Sequence, residues 1–345
     1  MIAFPAGTTE IGDRPLAPPQ DGAMVRPHGR LLPLRVGTRG SPLALWQTRD
    51  FLARITCFCP VLRSARAFEE HAIATSGDRI QDRALAEVGG KGLFAKEIHE
   101  ALLDRRIDFA VHSLKDLETA LPPGIVLACT LRREDPRDAL LLGAGFEAAV
   151  DPARPFAALP HGAVIGTSSA RRQAQLLHAR PDLRIALMRG NVQTRLGKLA
   201  RGEVAATLLA LAGLKRLELE AEADIAIDTE CMVPAACQGI VGVTVREDDA
   251  ELRELLAAIE DPVARAVSSA ERALLAALDG SCRTPIGGHA VPLPGGRLRL
   301  TGLVARTDGS FLLRRTIEGG WRDAIALGCD LGESLRRDSP ADLFC

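Results

Sequence analysis

The chain has 345 residues, more than one hydrophobic core comfortably serves, so two or three domains are expected. Its 44 acidic residues balance 43 Lys and Arg, while aromatic residues make up only 3% and Tyr is absent. That balance argues against a single-strand nucleic-acid binder, whose surface is basic and studded with stacking rings, and no apolar run is long enough to span a bilayer. Residues 1–30 carry Pro, Gly, Glu10, Asp13 and Asp21 without the apolar core of a secretory signal, so they read as a disordered extension, with Met24 an alternative start. The cysteines, at 57, 59, 129, 231, 237, 282, 329 and 345, match neither a zinc site nor a Cys-x-x-Cys motif. They are expected to be reduced thiols in a cytoplasmic protein that binds no metal.

Residues 34–38 read as a strand, and a helix begins at Pro42, where the missing proline N–H costs little. Residues 70–75 form a second strand candidate. The stretch 77–92 is punctuated by glycine and charge and reads as a mobile loop. Its segment Val88-Gly-Gly-Lys-Gly-Leu-Phe94 lacks the spacing and the Ser/Thr of a Walker phosphate loop, so nucleotide binding is not expected. Phe94, Ile98 and Leu102 recur at spacing four and predict one buried helix face. Strands are expected at 108–112 and 125–129.

Between 136 and 234 the alternation is clearest: strand 163–167, helix 170–179, strand 184–188, helix 192–201, strand 204–210 and helix 213–219. Pro181 stops the first of these helices, and Gly202 stands where a left-handed cap ends the second. This rhythm predicts a mostly parallel sheet with helices on both faces and ligands at the carboxyl ends of its strands. The apolar run 240–246 is expected to return to the first sheet, giving two similar α/β lobes joined by crossing segments around a cleft. After Asp261 come a helix at 263–278, alternating runs at 298–304 and 311–316, and a helix at 322–336, which read as a small α+β domain.

Two arginine presentations lie in the central region, Gly166-Thr167-Ser168-Ser169-Ala170-Arg171-Arg172 and Arg189-Gly190-Asn191-Val192-Gln193-Thr194-Arg195. Each follows a strand and opens a helix, where backbone N–H groups favour an anion and a guanidinium can bind a carboxylate through parallel hydrogen bonds. Either alone suits a solvated helix end; together they imply a small ligand with several carboxylates or phosphates. Arg39-Gly40-Ser41-Pro42 repeats the logic, with Ser41 capping its helix and Arg39 expected to reach across the cleft.

In Ala110-Val-His-Ser-Leu-Lys-Asp116 an acid and a base follow a buried strand. Asp116 suits general acid work or stabilisation of a developing cation, with Lys115 steering an anion or keeping Asp116 ionised. A capping Asp beside a solvated Lys is the plainer alternative. His112 reads as a satisfied core histidine. In Gly280-Ser-Cys282-Arg-Thr-Pro-Ile-Gly-Gly288 a thiol sits on a glycine-framed turn, and Arg283 beside it would lower its pKa from about 8.5.

These motifs, with Thr38-Arg39-Gly-Ser41-Pro-Leu-Ala-Leu-Trp46-Gln47, resemble in order those of the porphobilinogen deaminases (hydroxymethylbilane synthases), from about residue 34 to beyond 310. The resemblance implies an α/β fold of two type 2 periplasmic-binding-protein-like lobes plus a small α+β C-terminal domain. The limits expected are 31–132 with 238–258, then 136–235, then 260–345. It implies head-to-tail condensation of four porphobilinogen molecules into hydroxymethylbilane with loss of ammonia, in a cytoplasmic monomer without nucleic-acid, membrane or metal partners. A dipyrromethane cofactor would be held as a thioether on Cys282, with Asp116 the catalytic acid. Asp116, Lys115, Ser113, Thr167, Ser168, Ser169, Arg171 and Arg172 would hold that cofactor. Arg39, Ser41, Arg189, Gly190, Arg195, Arg216 and Gln238 would bind substrate, under a flap at 77–92 with Lys91 near its end.

Three positions depart from the pattern. Cys237 stands where Gly is usual, Glu118 where Pro is common and Glu87 where Lys is common. A non-catalytic two-lobed binding protein for a small polycarboxylate would share the fold, since fold does not fix function. A thiol-dependent acyl transferase would instead use Cys282 as a turnover nucleophile.

Overall fold

The computed structural model describes residues 32–80, 92–144, 151, 153–279 and 285–344. Its strands are β1 (Leu34–Arg39), β2 (Phe68–Ile73), β3 (Phe109–Ser113), β4 (Ile125–Thr130), β5 (Asp138–Leu142), β6 (Val164–Gly166), β7 (Arg184–Ala186), β8 (Ala206–Ala210), β9 (Ile225–Ala226), β10 (Val241–Arg246), β11 (Ile286–Leu293), β12 (Arg297–Ala305) and β13 (Leu312–Gly320). They form a sheet ordered β2-β1-β3-β10-β4, a second ordered β7-β6-β8-β5-β9 and a third ordered β11-β12-β13. Each five-stranded sheet has one antiparallel intruder. In the first it is β10, antiparallel to both β3 and β4; in the second it is β5, antiparallel to β8 and β9.

Local chemistry explains the first lobe. Leu34 and Val36 of β1 are buried, and the chain then turns at Gly40 into the helix Pro42–Phe58. Ser41 caps that helix by accepting from the Ala44 N–H at 3.3 Å, and proline fills its first turn. Its inner face carries Phe51, whose ring meets Phe109 of β3 edge-on with centroids 5.9 Å apart. Every residue of β10 is buried, as a strand covered on both faces should be. Thr244, one of its two polar members, meets the Nε2 of His112 at 2.9 Å. His112 is therefore the satisfied core histidine that the sequence predicts, and burial pushes its pKa down to about 3.

The second sheet is packed on both faces, by Phe156, Leu176 and Met232 on one side and Met188, Leu199 and Leu214 on the other. The third sheet is an antiparallel meander against the helices Pro262–Ala277 and Ala324–Arg337. Its core of Leu274, Leu298, Leu300, Leu331 and Leu335 continues into Leu114, Leu117 and Ile240 of the first lobe.

Two crossing segments link the lobes and are bonded to each other. The Glu134 N–H donates to the Gly239 carbonyl at 3.1 Å, and Arg133 Nε donates to the Gln238 carbonyl at 2.8 Å. Gly239 has φ +91°, and a Cβ there would stand 2.3 Å from the Glu134 carbonyl oxygen, so only glycine lets the segments approach this closely. The crossing delivers β10 beside β3 with Val241 opposite Ser113.

Several boundaries differ from the sequence reading. β2 lies two residues earlier than predicted, at the sheet's edge. β5 and the two-residue β9 have no counterpart in it. Phe94 precedes the helix Lys96–Leu103 instead of belonging to its buried face, which Ile98 and Leu102 supply.

Candidate functional site

The carboxyl ends of β1, β3, β6 and β7 carry the residues singled out in the sequence. At the end of β1, Arg39 binds Asp78, with Nη2 2.5 Å from Oδ1, and Asp116, with Nη1 3.2 Å from Oδ2. Its guanidinium carbon lies 4.2 Å from the centroid of the Phe94 ring. Burial alone would weaken the Arg39 charge, but the two carboxylates outweigh it and hold its pKa above the ordinary value. Arg39 thus anchors within its own lobe in this structure; the expected reach across the cleft is not seen.

β3 ends at Ser113, whose hydroxyl donates to Gln47 Oε1 at 3.0 Å. One 3-10 turn, Leu114–Asp116, follows; Leu114 is buried, and the Asp116 side chain keeps 26% exposure. Lys115 donates from Nζ to Gln238 Oε1 at 3.1 Å. Burial brings the Lys115 pKa down to about 8; Asp116 and Asp138 oppose that shift, and Arg172 and Arg171 reinforce it.

In the second lobe Ser169 caps the helix Ala170–Ala179, accepting from the Arg172 N–H at 3.4 Å, and Thr167 Oγ1 accepts from the Ser169 N–H at 3.1 Å. Ser168 between them is half-buried. Arg171 and Arg172, both buried, meet Asp138 at the start of β5, at 2.8 and 2.7 Å. Burial opposes the Asp138 charge, but the two guanidiniums hold its pKa far below the carboxylate range. At the end of β7, Gly190 takes φ +114°, which frees its carbonyl to accept from Arg195 Nε at 3.0 Å. Asn191 caps the helix Val192–Ala200 by accepting from the Thr194 N–H at 2.9 Å. Arg189 reaches out of the second lobe to the carbonyls of Gly77 and Ile80 in the first, both at 2.9 Å.

Arg195 ties the groups together. Burial, reinforced by the charges of Arg172 and Arg189 and opposed by Asp116, lowers its pKa to about 10. The charges of Arg39, Lys115 and Arg195 thus act together with Asp116, and those of Arg172 and Arg189 act on Arg195. Arg216 stands apart: it donates to the Gly239 carbonyl at 2.6 Å, and its charged neighbours are Glu134, Asp50 and Arg54. Cys282, Lys91, Glu87 and most of the predicted flap lie outside the described residues. The strand β11, from Ile286, follows Cys282 in the sequence. The Gly288 N–H donates to the Pro234 carbonyl at 3.0 Å, next to Val233, whose carbonyl accepts from Arg171 Nη1 at 2.8 Å.

A cluster with this cation excess suits a ligand bearing several carboxylates. Residues 34–254 match the family model described as porphobilinogen deaminase, dipyromethane cofactor binding domain, and residues 266–337 match that of the porphobilinogen deaminase C-terminal domain. The chain belongs to the porphobilinogen deaminase family. Relatives bearing the porphobilinogen deaminase name include one from Paracoccus denitrificans, 49% identical over 90% of this chain and 96% of its own length. Another, from Nitrobacter winogradskyi, is 47% identical over 90% and 94%, and the chloroplastic one of Pisum sativum is 45% identical over 88% and 80%. A periplasmic sulfonate-binding protein of Methylobacillus flagellatus aligns over 70% of this chain and 68% of its own at 16% identity, with a TM-score of 0.37, too low to carry any argument.

Of the departures from the family pattern, Cys237 is buried with φ +63°, a left-handed backbone that favours glycine. Its N–H donates to Glu271 Oε2 at 2.5 Å, and burial pushes its thiol pKa up to about 12, so it is an inert core thiol. Glu118 places Oε2 3.8 Å from Nδ1 of the buried His99. Sequence reasoning missed Asp78, Asp138 and Phe94 as parts of the site. Asp138 left one signal, a carboxylate opening the apolar run Asp138–Leu142, which a buried strand tolerates only with cationic partners.

Proposed function

We infer that the protein condenses four porphobilinogen molecules head to tail into hydroxymethylbilane, releasing ammonia at each step, as a transferase of tetrapyrrole biosynthesis. The observation that carries this is Asp116, a partly exposed carboxylate held 3.2 Å from Arg39 amid cations from both lobes. Each pyrrole brings an acetate and a propionate, so a growing chain accumulates the charge that Arg39, Lys115, Arg189 and Arg195 favour. A charge-assisted hydrogen bond contributes about 1.5–3 kcal/mol, and several act together. Ser41 and Gly190 shape the turns that present these side chains; Gln238 serves from the crossing, and Arg216, at the end of the helix Leu211–Arg216, donates to that crossing at the Gly239 carbonyl.

The dipyrromethane of this family fits the residues present. Arg171 Nε is buried without a hydrogen-bond partner among the described residues, beside a positively charged cluster. We assign Arg171, Arg172, Thr167, Ser168, Ser169, Ser113 and Lys115 to its carboxylates, and Cys282 to its thioether. When bound, the cofactor supplies the pyrrole carbon onto which the first substrate is joined. The residues of the chain do the rest. Asp116 accepts hydrogen bonds from pyrrole N–H groups and lies against the positive charge that develops on the incoming ring as its C–N bond breaks. The arginines hold the carboxylates so that the reacting carbons meet beside that acid.

We further propose the domain limits 31–132 with 238–258, 136–235 and 260–345, supported by the separate sheets. We propose a cytoplasmic monomer, the free thiols of Cys129 and Cys237 supporting the reducing compartment; no described helix is long and apolar enough to cross a membrane. A non-catalytic polycarboxylate receptor assigns no chemistry to Asp116, which gives the test. Asp116→Ala is expected to keep its thermal midpoint and far-UV spectrum while hydroxymethylbilane formation falls at least about a hundredfold. A folded variant with wild-type turnover would remove Asp116 from the mechanism.

A further inference from the structure

We propose that Asp138 is a positioning residue for the condensation: its carboxylate fixes the Arg171 and Arg172 guanidiniums and, through the Gln238 side chain, the Lys115 ammonium beside Asp116. The proposal rests on the functional reading above, in which those cations hold the carboxylates of cofactor and substrate.

Arg171 and Arg172 are consecutive in the first turn of one helix, and neighbours in a helix do not face each other. They are brought together by a shared anion. Asp138 Oδ1 accepts from Arg172 Nε at 3.1 Å and Nη2 at 2.7 Å, while Oδ2 lies 2.8 Å from Arg171 Nη1. Main-chain carbonyls hold the guanidiniums as well: Arg172 Nη1 donates to Leu208 at 2.7 Å, and Arg171 Nη1, the nitrogen beside Asp138 Oδ2, donates to Val233 at 2.8 Å. Asp138 is fully buried in β5, directly opposite Ala210 of β8, so the ladder of the second sheet fixes its own position.

The same carboxylate continues across the lobes. Gln238 Nε2 donates to Asp138 Oδ1 at 3.0 Å and to the Pro136 carbonyl at 2.7 Å. Its Oε1 accepts from Lys115 Nζ at 3.1 Å. With both ends of the amide engaged, Gln238 acts through its neighbours and is a relay between β5 and the turn that carries Asp116. One buried anion against Arg171 and Arg172 leaves a net positive charge, the state in which a ligand carboxylate is welcome and yet neither guanidinium is free to turn away. The charged groups facing Lys115 are Asp116, Arg172, Asp138 and Arg171. Removing the Asp138 charge therefore makes the ammonium easier to deprotonate, a consequence that simple loss of packing does not produce.

The test uses the full-length protein purified with its cofactor, with the wild type, Asp138→Asn and Gln238→Leu compared side by side. Steady-state rates with porphobilinogen are measured from neutral to alkaline pH, with intact mass and thermal midpoint for each. Asp138→Asn is expected to lose about tenfold or more in kcat/KM, to carry less covalent cofactor, and to move its alkaline fall-off to lower pH. Gln238→Leu, which keeps the arginine clamp and removes the relay, is expected to move the fall-off in the same direction with its cofactor retained. A folded Asp138→Asn with wild-type kcat/KM and an unmoved alkaline limb overturns the proposal. Should Asp138→Asn not fold, an unmoved limb in Gln238→Leu overturns it instead. A wild type that forms no hydroxymethylbilane defeats the functional reading itself, an outcome separate from either.

Discussion

Lys115 shows how a single side chain links burial to function. Its pKa of about 8 means that the ammonium is present at neutral pH and is lost as pH rises through that value. If it helps to hold carboxylates, KM for porphobilinogen is expected to climb above about pH 8, through loss of one charge-assisted hydrogen bond. A KM that stays flat well above that pH would free Lys115 from substrate binding. At this scale the sequence was informative wherever chemistry is local. The arginine motifs could be read because each lies between a strand end and a helix start, and Asp116 because it follows a buried strand. Asp138 was not legible as a partner of Arg171 and Arg172, since it joins them only when β5 inserts antiparallel beside β8. Asp78 was hidden for a related reason. It lies in a stretch that looks like loop, yet it folds back on Arg39 and is held by the Thr75 hydroxyl at 2.7 Å.

Among the elements, the crossing between lobes has the narrowest tolerance. Gly239→Ala places a methyl group against the Glu134 carbonyl in a left-handed backbone, and a destabilisation of about 2–3 kcal/mol is expected, read as a lowered denaturation midpoint. Because Gln238 is its neighbour, activity should fall in the same variant. An unchanged midpoint would mean that the segments can separate freely. In the third domain, Leu274 is fully buried between the paired helices and the sheet, with its Cδ2 touching the positions of Gly288 and Gly302. Leu274→Ala is expected to cost about 2–5 kcal/mol, and a melt indistinguishable from wild type would contradict that packing. Elements with strong period were placed correctly: the helix from Pro42, the helix Ala170–Ala179 and the return of β10 to the first sheet. β9 is too short to leave a period, and β5 opens with a charge. The edge strand β2 is half-exposed, so no hydrophobic alternation fixes its ends.

For the molecule as a whole, two lobes face each other through carbonyls and charges. Arg189 of one grips Gly77 and Ile80 of the other, and the crossing holds Gln238 between Asp138 and Lys115. The third domain packs on the first lobe through Leu114, Leu117 and Ile240, and β11 starts against the Val233 segment. The helix Pro262–Ala277 and the strand β11, which flank Cys282 in the sequence, are both tied to the site. A primer attached to that sulfur and lengthened beside Asp116 is the central claim. Intact mass of the purified active protein tests it most directly. The account predicts an addition the size of two linked pyrrole units, absent from Cys282→Ser together with activity; an active protein of unmodified mass would contradict it.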